Sequence, residues 1–135
     1  MTPLEVLIRQ IIDVEGPMRL DRYMGLVLGH PQHGYYMTRD PFGDRGDFLT
    51  APEVSQVFGE LIGVWCCAAW QAMGAPKSFQ LIELGPGRGT LMSDLLRASR
   101  VMPGFREAAR VALVEISPVL KAKQRETLGN VAHYA

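Results

Sequence analysis

The chain is poor in cysteine, with only Cys66 and Cys67, side by side. Neighbours on a helix point about 100° apart, so this pair neither bridges readily nor chelates a metal, and no disulfide scaffold is expected. An excess of charge is missing too, because Lys plus Arg number 14 and Asp plus Glu number 14. A dedicated nucleic-acid binder carries a basic surplus, so nucleic acid is not an expected partner. No apolar run is long enough to cross a bilayer, and no membrane span is expected. The first residues lack a basic stretch leading into an apolar core. Glu5, Asp13 and Glu15 also speak against an organellar presequence, so the expected address is the cytoplasm, with Met1 a native start. His30 and His33 have no further ligands beside them in the sequence, and no metal site is expected.

What is present is a patterned globular sequence, 47% hydrophobic. Thr2-Pro3-Leu4-Glu5 reads as a capping box before Leu4, Leu7, Ile8, Ile11 and Ile12 at helical spacing, and Gly16-Pro17 ends that helix. A second helix is expected over Leu20 to Leu28. Gly29 to Leu49 loses all regularity and reads as one long loop, a length that in compact domains usually serves function. Thr50-Ala51-Pro52-Glu53 repeats the capping-box pattern. It predicts one helix to near Gly74 with Val54, Val57, Phe58, Leu61, Ile62, Trp65, Ala69 and Met73 on one broad face.

Beyond Pro76 the period changes. Phe79 to Leu84 and Arg110 to Ile116 read as buried strands, with a helix from Thr90 to Ala98 between them. A further helix opens at Ser117-Pro118 and ends at Gly129, and Val131 to Tyr134 starts a third strand. Strand, helix, strand, helix, strand in this order predicts an α/β fold with a parallel sheet, with a site at the carboxyl ends of the strands.

At one such end stands "ELGPGRGT", Glu83 to Thr90. A strand-to-helix turn points unpaired backbone N–H groups at a ligand, and glycines let that ligand approach the main chain. Gly85, Gly87 and Gly89 are spaced G-x-G-x-G, which departs from the G-x-G-x-x-G of dinucleotide sites. The lysine of a phosphate loop is absent as well. An acid, one residue and then G-x-G-x-G suits S-adenosyl-L-methionine. Glu83 would then face its methionine end. Glu115, at the end of the second strand, would accept from both ribose hydroxyls. Arg88 inside the turn would clamp a carboxylate.

"HGYY" (33–36), "GDFLTAPEVSQVFGELIGVW" (46–65), "ELGPGRGTLMSDLLR" (83–97) and "VEISPVL" (114–120) together resemble the MidA-like family of S-adenosylmethionine-dependent methyltransferases. That resemblance implies an N-terminal helical and loop region over 1–76. The first β-α-β-α-β part of a Rossmann-like class I sheet would then occupy 77–135, apparently truncated, with the remainder of the methyltransferase domain as a partner. It further implies a protein substrate, methylated on an arginine side chain, and a link to assembly of respiratory complex I. Asp47 and Glu53, which flank the "DFLTAPE" segment, become the candidate catalytic carboxylates for orienting a guanidinium. Two alternatives stay open: a non-catalytic S-adenosylmethionine-binding or assembly module, and an NAD-type dinucleotide binder, which the glycine spacing disfavours.

Overall fold

The computed structural model describes residues 1–43, 46–131 and 133–134, arranged as two compact units. The first comprises Met1–Asp40 with Ile116–Val119. Its helix α1, Pro3–Glu15, begins as the sequence predicts: the Thr2 hydroxyl accepts from the Glu5 N–H at 3.2 Å, and Pro3 occupies the first turn. Gly16 ends it at φ 85°, a conformation that favours glycine. Helix α2 spans Leu20–Gly29 and starts at Arg19 without a side-chain cap. The stretch expected to be wholly irregular contains a short helix α3, Tyr35–Thr38. Before it, the His30 ring nitrogen accepts from the N–H groups of Gln32 and His33, each at 3.2 Å, and makes the turn. Asp44 and Arg45 of that stretch lie outside the described residues.

The second unit comprises Pro41–Glu115 with Leu120–Ala135. The helix expected from Thr50 onward is two helices. α4 covers Ala51–Val54 and α5 covers Gln56–Ala72, separated by Ser55 in an extended conformation. The cause is local: the Ser55 hydroxyl accepts from the Val57 N–H at 3.2 Å and restarts the helix with a new N-cap.

Strand β1 (Phe79–Leu84), helix α6 (Thr90–Ala98), a single turn at Ser99–Val101, helix α7 (Phe105–Ala108), strand β2 (Ala109–Val114), helix α8 (Pro118–Leu128) and strand β3 (His133–Tyr134) follow. The sheet is parallel in the order β1-β2-β3, with Leu84 opposite Val114. β2 begins one residue earlier than expected and ends before Glu115. Ala132, within the expected third strand, lies outside the described residues.

The core of this unit lies on one face of the sheet. Cys67 and Trp70 of α5, Met92, Leu95 and Leu96 of α6, Val111 and Leu113 of β2 and Leu128 of α8 meet there. Phe105, fully buried, joins them and stacks edge-on against Trp70 at 5.7 Å. The segment "ASRVMPGFRE" (98–107), between α6 and β2, thus supplies an aromatic to the core. On the opposite face Ile82, Leu84 and Val114 are exposed.

Helix α5 corrects the expected orientation. Its buried residues are Gly59, Gly63, Cys67 and Trp70, which recur every three or four positions. A side-chain carbon added at Gly63 would stand 2.7 Å from the Leu95 carbonyl oxygen, and one at Gly59 would stand 2.7 Å from the Asp94 Cβ. The two helices therefore approach along a strip without side chains. The broad face of Val57, Phe58, Leu61, Ile62 and Trp65 is left outside, with Trp65 68% exposed.

Candidate functional site

β1 ends at Leu84, and the chain turns through Gly85, Gly87 and Gly89 at φ 63°, 55° and 82°. These three alternating glycines all adopt left-handed conformations, which glycine takes at far lower cost than other residues. The Gly85 N–H donates to the Val114 carbonyl at 2.9 Å, which continues the sheet by one bond. It sets the turn beside Glu115, the residue after β2.

The cleft above this turn, about 180 Å³, is bounded by Glu83, Gly85, Pro86, Gly87, Arg88, Thr90 and Leu91 on one side. Phe42, Thr50, Pro52 and Glu53 bound the other. A larger groove of about 480 Å³ lies between α1 and α2, but its walls are chiefly the aliphatic faces of those helices. Of these two, the smaller cleft pairs bare backbone with carboxylates, Glu53 and Glu83, which makes it the candidate site.

The residues singled out from sequence fall as follows. Glu53, Glu83, Gly85 and Gly87 line the cleft. Gly89 does not: it is buried as the N-cap of α6, and a side-chain carbon there would press on Leu128 at 3.1 Å. Its glycine serves the packing of α8 against the turn. Glu115 is buried and adjoins the turn through the Gly85–Val114 bond without lining the cleft. Asp47 is exposed, outside the cleft lining.

Two positions in the turn define what could bind. A side-chain carbon added at Gly85 would meet nothing within 4 Å, so the space over this glycine belongs to the cleft. Glu83 lines the same cleft, and its Oε2 atom is buried without a hydrogen-bond partner among the described residues. Burial pushes its carboxyl up to about 7. A buried carboxylate oxygen without a donor is costly in the free protein and becomes favourable once a cationic N–H donor reaches it.

The glycine pattern could not reveal what holds the turn from outside. Gln124 of α8, buried, donates from Nε2 to the Gly87 carbonyl at 2.8 Å. The Phe42 ring lies 3.4 Å from where a Gly87 side chain would begin. Phe42 itself is held by a local bracket, in which Gly43 N–H donates to the Phe48 carbonyl at 3.1 Å and Phe48 N–H to the Pro41 carbonyl at 2.9 Å. Glu53 does not act as a simple capping residue. Its Oε1 accepts from the Thr90 hydroxyl at 2.7 Å, and its Oε2 stands 3.6 Å from Arg88 Nη1. The carboxylate that Arg88 meets is thus internal.

Comparison with known proteins bears on the same segment. Residues 61–135 match the family model described as "Putative S-adenosyl-L-methionine-dependent methyltransferase". The chain is 50% identical over 113 residues to the mitochondrial protein arginine methyltransferase NDUFAF7 homolog of Drosophila melanogaster, covering 82% of this chain and 25% of that protein. It is 43% identical over 130 residues to the mitochondrial protein arginine methyltransferase NDUFAF7 of Homo sapiens, covering 95% of this chain and 30% of the relative. The chain thus spans between a quarter and a third of the length of these relatives. A Burkholderia thailandensis protein crystallised with S-adenosyl-homocysteine superposes with a TM-score of 0.79 at 32% identity. That superposition covers 98% of this chain and 36% of the other.

The cytoplasmic address expected from the first residues is overturned, because these curated relatives are mitochondrial proteins. Sorting depends on a leader, and an inference from fifteen acidic-leaning residues tests only those residues. The cofactor class and fold agree with the glycine turn: the chain belongs to the family of S-adenosyl-L-methionine-dependent methyltransferases.

Proposed function

We propose that this chain carries the cofactor-binding part of an S-adenosyl-L-methionine-dependent protein arginine methyltransferase of the MidA-like branch, linked to assembly of respiratory complex I. The observation that carries it is the unpartnered Glu83 oxygen in a cleft that also holds the open space at Gly85. The cofactor's α-ammonium group is the donor that oxygen lacks. The bare backbone over Gly85 admits the chain leading to the sulfonium. Glu115, one residue beyond the Gly85–Val114 bond, is the carboxylate we assign to the ribose hydroxyls. At about 180 Å³ the cleft is smaller than the roughly 300–1,000 Å³ of a typical small-molecule site, which suits one end of the cofactor.

When bound, the cofactor supplies an electrophilic methyl group. The protein's part is to hold the sulfonium, exclude water and orient the acceptor. An arginine acceptor is a cation and needs a carboxylate to align it. Asp47, exposed on the segment before α4, is the carboxylate we assign to that contact, since both oxygens of Glu53 already serve Thr90 and Arg88.

The remainder of a methyltransferase domain is the natural cover for the surfaces left bare. Among the described residues β1 pairs with β2 alone. Ile82 and Leu84 stand exposed on a sheet type that is normally covered on both faces.

Titration calorimetry with S-adenosyl-homocysteine tests the assignment. Gly85→Val should abolish binding while costing the free fold only about 1–2 kcal/mol for a left-handed residue. Glu115→Ala should weaken binding by about 1.5–3 kcal/mol. Unchanged affinity in the Gly85 variant would sink the site, and a preference for NAD would transfer it to another cofactor class.

A further inference from the structure

We propose that Glu53 is a positioning residue for the glycine turn: it ties α4 to the start of α6 and thereby sets the shape of the cleft. This rests on reading the cleft as the cofactor seat and assigns Glu53 no contact with cofactor or acceptor.

The turn has little to hold it from within. Gly85, Gly87 and Gly89 carry no side chains to pack, and all three adopt backbone conformations available to few other residues. Such a segment keeps one shape only if outside groups fix it. Gln124 does so at the Gly87 carbonyl. Glu53 does so at the other end, gripping Thr90, the first residue of α6, across 37 residues of sequence.

The Glu53 side chain is only 15% exposed, so its bond to the Thr90 hydroxyl is a shielded, charge-assisted one. Its negative charge also lies at the N-terminus of a nine-residue helix, where the helix dipole favours it. The second oxygen faces Arg88, whose guanidinium packs against Gly43 so closely that a side chain there would overlap it. One carboxylate therefore holds both Arg88 within the turn and Thr90 at its end. α4 does not depend on Glu53 for a cap: its N-cap Thr50 makes no side-chain cap bond, and the carboxylate of Glu53 is directed away, to α6.

Two measurements test this. In the ligand-free protein, amide hydrogen exchange should accelerate in Glu53→Ala within peptides covering 85–91 and remain unchanged in α5. Unchanged exchange at 85–91 overturns the proposal whether or not the cofactor binds. In calorimetry with S-adenosyl-homocysteine, Glu53→Ala and Thr90→Val should each weaken binding about tenfold, as for loss of a charged hydrogen bond. The double variant should lose about tenfold rather than a hundredfold, because both remove the same link. Glu53→Gln, which keeps an acceptor for Thr90, should stay within about threefold of the parent. Additive losses, or wild-type affinity in Thr90→Val, overturn the proposal. If Glu53→Ala fails to fold, the Gln and Val variants decide. Should the parent protein give no heat with S-adenosyl-homocysteine, the cofactor reading fails, and the exchange data still judge the tether.

Discussion

Helix α5 and the segment from β1 through α6 sit against each other, yet they yield to sequence reading very differently. In the β1–α6 segment, composition and geometry agree residue by residue. The strand stops at Leu84, three glycines turn, and the helix starts at Thr90. In α5 the periodicity locates the helix and then misleads about its orientation. Its bulky face is exposed and its glycine face is buried. The difference teaches that hydrophobic spacing reports where apolar residues cluster, whereas close helix packing is decided by where backbones can touch.

The sharpest way to break this contrast is Gly63→Val. Its added carbon would stand 2.7 Å from the Leu95 carbonyl oxygen and 3.0 Å from the Leu95 Cα, both backbone atoms that cannot rotate away. α5 and α6 must then separate over Cys67, Trp70 and Leu95. A loss of about 3 kcal/mol in urea unfolding is expected. A cost within 0.5 kcal/mol would mean the two helices do not pack along their glycines.

A smaller effect sharpens the other member of the comparison. Glu83 sits in the legible segment, but in the least comfortable place, with its carboxyl raised to about 7 by burial. The folded value lies above the ordinary one of 4.5, so the neutral acid favours the fold below pH 4.5. That contribution is lost as pH rises through about 7. Glu83→Gln remains neutral throughout. In the ligand-free protein it should match the parent near pH 4 and be more stable at pH 8 by about 1–2 kcal/mol, after allowance for partial exposure. The same change should weaken S-adenosyl-homocysteine binding, because an amide oxygen offers a cationic donor less than a carboxylate does. A stability gain at pH 8 with intact affinity would separate Glu83 from the cofactor.

Much of the fold was legible because strands, turn and helices of the second unit are local patterns. β1 and α6 fall on their expected residues, and β2 and α8 within one or two. The glycine turn and Glu83 were legible for the same reason: a ligand loop on a strand end is encoded in adjacent residues. The missing parts are contacts between distant residues. Nothing near Gln124 announces a bond to the Gly87 carbonyl, and nothing near Phe105 marks it as the centre of the core. Glu53 shows both sides. Its sequence neighbours made it a capping residue, and only the fold brings Thr90 and Arg88 to it. The break at Ser55 was open to detection, since serine before Gln56-Val57 is itself an N-cap pattern, but it was masked by the stronger Thr-Ala-Pro-Glu signal upstream.

The mildest test addresses the exposed side of α5 directly. Trp65 is 68% exposed, whereas Trp70, one and a half turns on, is 7% exposed and donates from its indole nitrogen to the Pro76 carbonyl at 3.0 Å. Sequence alone treats the two tryptophans alike. Trp65→Ser should change unfolding free energy by no more than about 0.5 kcal/mol, because little of its ring leaves water on folding. It should also reduce light scattering at high protein concentration, since Trp65 with Leu61 and Val57 forms an apolar stripe of the kind that drives association. A loss of 2 kcal/mol or more would place Trp65 in a core, and the distinction between the two faces of α5 would fall with it.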